Sequence, residues 1–211
     1  AGLVELVPHN LVTYSEQFDN AGWAKIASSI TANATTAPDG TLTADKLVED
    51  ATINQHRTDQ TTTSAIGTNT FSVFAKKSER DSIQLRVGTS GAFFNLTNGT
   101  TSSASGVTAS IENYDNGWYK CSIVRISTVA NEVVRINLLL TGNSTYLGDG
   151  TSGAFIWGAQ LVEGSTALPY QKTETRLNIP RLDYSNGTCP SLLVEPQRTN
   201  LLTYSSSFDN A

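Results

Sequence analysis

The chain has 211 residues, of which 38% are apolar and 16% are charged, and its formal net charge is −5. This length is enough for one large β-domain or two small ones. The acidic balance and the scattered Lys and Arg argue against nucleic-acid binding. No apolar run approaches the length of a membrane span, and no secretory signal pattern opens the chain. Methionine is absent even at position 1, which predicts a processed chain or part of a longer protein.

Composition and periodicity favour β-strands. Much of the polar sequence is Ser, Thr, Asn and Gly, and these residues disfavour helices. No long window shows the 3.6-residue periodicity of a helix. Turn signals separate short segments that we predict as strands, at 42–49, 54–63, 69–77, 81–88, 92–100, 116–127, 132–140 and 153–164. The Asn98-Gly99 and Asn116-Gly117 pairs predict tight turns.

Two of these segments alternate clearly between apolar and polar residues. In 81–88 the alternation places Ile83, Leu85 and Val87 in the core and Ser82, Gln84 and Arg86 outside. In 132–140 the two faces are Val134, Ile136, Leu138 and Leu140 on one side and Val133, Arg135, Asn137 and Leu139 on the other. A further segment, 69–77, also alternates. It places Phe71, Val73 and Ala75 on one face and Ser72, Phe74 and Lys76 on the other.

About eight to ten short antiparallel strands without a convincing helix predict an all-β fold, a two-sheet jelly-roll β-sandwich. We expect the sandwich at 10–170, after a connector that ends within 1–9. Residues 171–199 contain much of the proline and lack sustained alternation, which predicts an extended linker. Residues 200–211 would then begin a second copy of the domain.

The second copy is predicted from a repeat. Residues 10–21 read NLVTYSEQFDNA and residues 200–211 read NLLTYSSSFDNA, and at the same offset Leu3-Val4-Glu5 matches Leu193-Val194-Glu195. Two interpretations remain open. Either another domain begins at residue 200, or this segment completes the sheet of a neighbouring subunit.

Catalytic and metal-binding patterns are missing from the sequence. Neither His9 nor His56 lies in a metal-ligand pattern, and there is no nucleophile elbow, P-loop or dinucleotide fingerprint. The carboxylates are scattered, so a non-enzymatic protein is expected. Cys121 is predicted to be buried in a strand, whereas Cys189 lies in a turn-rich stretch, and their pairing stays open.

Five stretches resemble a known family: NLVTYSEQFDNAGW, ANATTAPDGTLTADKLVED, NTFSVFAKKSER, NGWYKCSI and GDGTSGAFIWGAQLVEGSTALPY. They look like the repeated domain of bacteriophage fibre, tail and capsid-decoration proteins, which resembles carbohydrate-binding modules with a jelly-roll fold. The stretch PRLDYSNGTCPSLLVEPQRTNLLTYS looks like the connector before such a domain. The resemblance covers nearly the whole chain, but the wider fold occurs on enzymes, adhesins and fibres alike.

The resemblance also raises the question of calcium. Many carbohydrate-binding jelly rolls carry an Asp pair in the last strand near a structural calcium, but the matching stretch here is Ile156-Trp157-Gly158-Ala159-Gln160. Backbone carbonyls with Asp149 or Glu163 remain as candidate ligands. The GDGTSG stretch at 148–153 lacks the repeated oxygen ligands of an EF-hand and is interpreted first as a tight turn.

Candidate ligand-binding residues follow from the alternation and from the turns. Sugars are bound by aromatic faces and by planar polar side chains that fix their hydroxyl groups. If neighbouring strands bring the outward polar residues together, they form a polar platform: Gln84, Arg86, Arg135, Asn137, and Gln55 with Arg57 or His56. An ordinary solvated sheet face is the alternative interpretation. Phe93 and Tyr146, near turns, are candidates for an aromatic rim, whereas Trp118 and Trp157 are interpreted as structural.

Three functions are compatible with these observations. The first is a virion structural domain, in a fibre or a capsid decoration, that binds host or environmental glycans weakly. The second is a structural spacer without a ligand, and the third is an accessory carbohydrate-binding module of a polysaccharide-degrading enzyme. The first implies a location on the virion surface, other virion proteins as partners, and a homo-oligomer such as the trimer common in phage fibres. It implies neither nucleic-acid binding nor membrane insertion.

Overall fold

The computed structural model describes residues 4–6, 9–64, 66–103, 106–175, 181–183 and 191–193. The chain divides into two compact units. The sandwich unit comprises residues 8–177. The terminal unit comprises residues 1–7 and 178–211.

The sandwich unit is built from β-strands numbered in chain order. The numbering begins at β2, because the first strand of the chain, β1 (Val4–Leu6), belongs to the terminal unit. The strands are β2 (Ala24–Ile26), β3 (Ser28–Thr35), β4 (Ala44–Glu49), β5 (Ile53–Gln55), β6 (Arg57–Thr61), β7 (Gly67–Lys77), β8 (Ser82–Val87), β9 (Ser90–Asn95), β10 (Thr100–Ser103), β11 (Val107–Asn113), β12 (Trp118–Ser127), β13 (Val133–Leu138), β14 (Thr145–Leu147) and β15 (Gly153–Glu163). The helical content of the described residues is a single 3₁₀ turn at Asp115–Gly117. The described part of the chain holds no helix with the length and apolar character needed to cross a bilayer.

Two six-stranded antiparallel sheets face each other. Sheet I has the order β10-β9-β8-β13-β6-β2, and sheet II has the order β11-β12-β7-β15-β4-β3. A small two-stranded sheet pairs β14 with β5. This arrangement confirms the predicted all-β, two-sheet jelly-roll sandwich.

Alternation along the central strands explains why the sandwich closes. On β8 and β13 the predicted inward residues are all fully buried: Ile83, Leu85, Val87, Val134, Ile136 and Leu138. Facing them from sheet II, in the same apolar cluster, are Phe71, Val73 and Ile123. Burial of this much apolar surface is the main stabilising contribution to such a fold.

Sheet II is covered on its outer face as well. Phe74 points away from the main core but is only 4% exposed, because it packs with Trp118, Trp157 and Ala44 in a second apolar cluster. The ring of Tyr170 lies 4.6 Å from that of Trp157 between centroids. The structural roles predicted for Trp118 and Trp157 are therefore confirmed. Cys121 is buried as predicted, whereas Cys189 lies outside the described residues.

The segments that the sequence missed lie mostly at sheet edges. Strands β3 and β11 are the two edges of sheet II, and most of their residues are exposed or half-buried. An edge strand with a solvated surface needs no apolar alternation, so periodicity could not reveal it. The predicted turns are present, with Gly99 at φ 68° and Asn116 at φ 60°.

The Asn10 side chain fastens the start of the sandwich unit to its last strand. Its Oδ1 accepts hydrogen bonds from the backbone N–H groups of Val12 and Leu161, each at 3.0 Å. Its Nδ2 donates to the carbonyl oxygens of Ala159 at 2.9 Å and Gln171 at 3.0 Å. Asn10 is 2% exposed, so a side chain shielded from water pairs with four backbone groups.

The residues that follow Asn10 complete the core. Leu11, Val12 and Phe18 are buried, as expected for the first copy of the repeat. The second copy, at 200–211, lies outside the described residues.

The terminal unit contains a three-stranded antiparallel sheet. Its strands are β1 (Val4–Leu6), β16 (Arg181–Asp183) and β17 (Ser191–Leu193), with β16 in the centre. Leu182 pairs with Glu5 on one side and with Leu192 on the other. The segment predicted as a linker, 171–199, thus contains two short strands of extended backbone.

Replacing Asn10 by Asp tests its fastening role. The carboxylate keeps both acceptor contacts but removes both donors, so the carbonyl groups of Ala159 and Gln171 lose the bonds that Asn10 donates to them. We expect the free energy of unfolding to fall by roughly 2–4 kcal/mol, measured by urea denaturation. Asn20→Asp is the matched control, because the side-chain bond of Asn20 is one that its Oδ1 accepts from the Gly22 N–H and that a carboxylate can also accept. Equal stability of the two variants would contradict the role of Asn10.

Candidate functional site

The strand register of sheet I gathers the predicted polar residues on its outward face. Asn137 pairs with Gln84 on one side and with Arg57 on the other. In the next row Arg135 pairs with Arg86 on one side and with Asp59 on the other. We call the outward face formed by Arg57, Asp59, Gln84, Arg86, Phe93, Arg135 and Asn137 the polar platform.

Asp59 organises one half of the polar platform. Both oxygens of its carboxylate lie 3.1 Å from Arg57 Nε, which donates to them. Oδ2 also accepts a hydrogen bond from Arg135 Nε at 3.3 Å. Arg57 also donates to Gln55 Oε1 at 2.7 Å, and Arg135 donates to the Gly88 carbonyl at 2.5 Å. Each guanidinium is thus held between two acceptors. Asp59 was missed by the sequence analysis, although period-two alternation from Arg57 places it on the same face.

Arg86 lies in the other half of the polar platform and, unlike Arg57 and Arg135, forms no ion pair with Asp59. Its Nη2 donates to the Thr89 carbonyl at 2.9 Å, and no carboxylate of the described residues lies within ion-pair distance of it. Burial lowers the pKa of Arg86, and the charges of Arg135 and Arg57 lower it further, against the opposing charge of Asp59. Arg86 therefore keeps its positive charge in a neighbourhood that repels it.

Asn137 lies at the centre of the polar platform. It is fully buried although it is on the outward register, and its Nδ2 donates to Gln84 Oε1 at 3.1 Å. Its Oδ1 is buried without a hydrogen-bond partner among the described residues. An unsatisfied buried acceptor of this kind is rare and costs free energy.

Phe93 supplies an aromatic surface at one side of the polar platform. It pairs with Gln84 on β8 and with Ser102 on β10, and it is 38% exposed. A shallow cavity of about 170 Å³ lies beside it, lined also by Asn95 and Thr101. An exposed ring next to amide and guanidinium groups offers both the stacking surface and the hydrogen bonds that a sugar ring needs.

Three of the predicted residues lie outside the polar platform. Gln55 lies on β5 of the small two-stranded sheet, where its Oε1 accepts a hydrogen bond donated by Arg57. His56 is fully buried, with Nδ1 at 2.7 Å from the Ala27 carbonyl oxygen and Nε2 at 3.2 Å from that of Tyr146. Tyr146 is 9% exposed and donates from its hydroxyl group to Glu49 at 2.7 Å, so it is not an exposed rim residue. Strand alternation could have excluded His56 from the predicted platform. Arg57 points outward, so the residue before it must point inward.

Next to Tyr146 lies a buried ion pair, formed by Glu49 and Arg80, that the sequence analysis did not predict. The fully buried Glu49 carboxylate accepts from Arg80 Nε at 2.7 Å, from Arg80 Nη2 and from the Asp149 backbone N–H at 2.9 Å. Burial raises the pKa of Glu49, but the hydrogen bonds from Arg80, Tyr146 and Asp149 outweigh it and hold the pKa below its usual value. The interaction is structural, because four donor groups from three residues already occupy the carboxylate.

The two candidate calcium ligands do not share a site. Asp149 accepts hydrogen bonds from the Thr151 and Ser152 N–H groups, which builds the tight turn before β15. Glu163 is exposed at the far end of the same strand. With a rise of about 3.3 Å per residue, an eleven-residue strand separates its ends by roughly 30 Å. The described residues contain no group of three or more His, Cys, Asp or Glu side chains placed to hold a metal ion.

A second, polar groove lies next to the start of the sandwich unit. It has a volume of about 270 Å³ and is lined by residues that include Asp19, Asn33 and Asp45. Asp45 is 1% exposed and accepts the N–H groups of Phe18 and Asn33, each at 2.9 Å. Burial raises the pKa of Asp45 to about 6. Its hydrogen bonds fix the loop around Phe18, so we assign it a structural role.

Comparison with known proteins gives a distant structural likeness. One similar structure contains the CBM22-1 and GH10 modules of the N-terminal endo-1,4-β-D-xylanase 10B of Clostridium thermocellum, complexed with xylohexaose. The TM-score is 0.45 at 16% sequence identity, and the likeness covers 78% of this chain. This chain spans 30% of the length of that xylanase chain. No protein-family model and no curated protein matches the sequence.

Replacing Glu49 by Gln tests the buried ion pair. The variant leaves the Arg80 guanidinium without its main partner, and we expect the free energy of unfolding at pH 7 to fall by about 3 kcal/mol. Because the pKa of Glu49 is lowered in the fold, its stabilising contribution is complete above about pH 5 and is lost as the pH falls through the native value. The difference between wild type and variant should therefore shrink in acid.

Thermal and urea denaturation from pH 7 to pH 2.5 measures this difference. The control is Glu112→Gln, which removes an exposed carboxylate from the edge strand β11. A constant stability difference across the pH range would contradict the assigned role of Glu49.

Proposed function

We propose that this chain is a non-catalytic glycan-binding module and that the polar platform receives the sugar. One observation supports this most strongly: the strand register aligns Phe93, Gln84, Asn137 and Arg57 in a single outward row. Such a row combines an aromatic face with amide and guanidinium groups, which suits a sugar ring and its hydroxyl groups. The row also runs across four strands, which suits an extended chain of sugars.

The proposal assigns no catalytic role to the carboxylates. Asp59 is held by two guanidinium groups and Glu49 by one, so neither is placed to exchange a proton with a ligand. A binding surface needs shape and hydrogen-bonding groups only. The weak affinity expected of one shallow site becomes useful when several copies act together.

The biological setting of the module is also a proposal, supported by the sequence resemblance. In this setting the module belongs to a bacteriophage fibre or capsid decoration, lies on the virion surface, contacts other virion proteins and assembles as a homo-oligomer such as a trimer. The spacer alternative predicts no glycan binding. The accessory-module alternative predicts a catalytic domain of a polysaccharide-degrading enzyme in the same gene.

Binding to a glycan array and to polysaccharides in affinity gels tests the proposed function. We expect the full chain to bind weakly. We also expect Phe93→Ala to weaken binding about fivefold, because the ring loses its stacking contact. The control is Ile126→Ala, which removes an apolar side chain that is 70% exposed on β12 of sheet II. An absence of binding to every glycan, at concentrations where weak lectins bind, would support the spacer alternative and contradict the proposal.

A further inference from the structure

The polar platform carries an excess of positive charge. Among the described residues, its outward face holds three guanidinium groups, those of Arg57, Arg86 and Arg135, and the single carboxylate of Asp59. The chain as a whole has a formal net charge of −5, so this surface opposes the balance of the protein. Neighbouring like charges on a sheet are destabilising, and their retention on one face calls for an explanation.

The three guanidinium groups are not equivalent. Arg57 and Arg135 share the Asp59 carboxylate, whereas Arg86 directs one N–H to the Thr89 carbonyl and has no carboxylate partner among the described residues. Arg86 and Arg135 are register partners. An anion placed between them would accept hydrogen bonds from both and would cancel their repulsion.

The position of the Arg86 side chain depends on Gly91. Gly91 is its register partner on β9, and a Cβ atom at that position would lie 2.5 Å from Arg86 Cγ. The hydrocarbon stem of Arg86 therefore lies over the bare backbone of Gly91. This contact fixes the stem, and the guanidinium then reaches the Thr89 carbonyl in the turn between β8 and β9.

We infer that the ligand of the polar platform is an acidic glycan, whose anionic oxygens are bound by Arg86 together with Arg135. This inference rests on the proposed function and specifies its ligand class. The neutral groups of the same sugar chain are received by Gln84 and by the ring of Phe93. A carboxylate on the sugar ring fits the planar guanidinium fork and accepts two parallel N–H bonds from it.

The acidic balance of the whole chain does not prevent this binding. At physiological ionic strength the screening length is about 8 Å, so carboxylates beyond the platform are largely screened from its ligand. The same screening predicts a salt dependence, because binding of an anion to half-buried guanidinium groups at the surface weakens as salt is added. Binding through hydroxyl groups and stacking alone is insensitive to salt.

Isothermal titration of the full chain with matched ligand pairs tests the inference. The first pair is oligogalacturonate and the same oligomer with its carboxyl groups reduced to alcohols. The second pair is dextran sulfate and dextran. Comparison of the two pairs shows whether the platform binds a carboxylate, a sulfate or both. We expect the anionic member of a pair to bind at least tenfold more tightly than the neutral member. We also expect this preference to decline as NaCl is raised from about 50 to 500 mM.

Three variants link the preference to Arg86. Arg86→Gln should weaken binding of the acidic oligomer about tenfold and that of the neutral oligomer much less, because the neutral oligomer lacks the anionic partner of the guanidinium. Arg86→Lys, which keeps the charge but loses the fork, should fall between wild type and Arg86→Gln. Lys77→Gln makes the same change of charge at an exposed residue of sheet II and should leave both affinities unchanged. Circular dichroism melting curves verify that each variant is folded.

The outcomes distinguish this inference from the proposed function. Equal binding of acidic and neutral members, or an Arg86→Gln variant that binds like wild type, overturns the acidic ligand class and leaves glycan binding intact. An absence of binding to every member, together with a blank glycan array, overturns both.

Discussion

Alternation along β8 and β13 is the constraint on which the rest of this structure depends. Successive residues of a strand point to opposite faces, so burying Leu85 and Ile136 in the sandwich core forces their neighbours outward. A shift of register by one residue would exchange the two faces and expose the core. The same apolar contacts that stabilise the fold therefore hold Arg86 and Arg135 side by side. Stability and the arrangement of the polar platform have a common physical origin.

The polar groups of the sandwich unit serve two different purposes. Asn10 and Glu49 are buried and have several partners each, and they fasten loops and strand ends to the core. On the polar platform the pairing of polar groups is incomplete. Among the described residues, Arg86 has no carboxylate partner and Asn137 Oδ1 has no hydrogen-bond donor. Buried polar groups are normally satisfied, so the unpartnered Asn137 Oδ1 distinguishes this face from the sites around Asn10 and Glu49.

Sequence patterns could predict the architecture and most of the platform because both follow from local periodicity. The inward residues of β8 and β13 were correct, and their outward neighbours meet across the sheet once the strands pair. The edge strands β3 and β11 were missed because a solvated edge needs no apolar pattern. The pairing of Glu49 with Arg80 was missed because the partners are 31 positions apart and no local signal links them. Tyr146 was misplaced for the same reason, since its partner also comes from a distant strand.

The central claim is that a glycan binds across the outward face of sheet I. Titration of isotope-labelled protein with a bound oligosaccharide, followed by nuclear magnetic resonance of backbone amides and arginine Nε–H groups, locates the contact directly. The account predicts shifts in β6, β8, β9 and β13, with the largest arginine changes at Arg86 and Arg135. Shifts confined to sheet II or to the groove around Asp45 would contradict it.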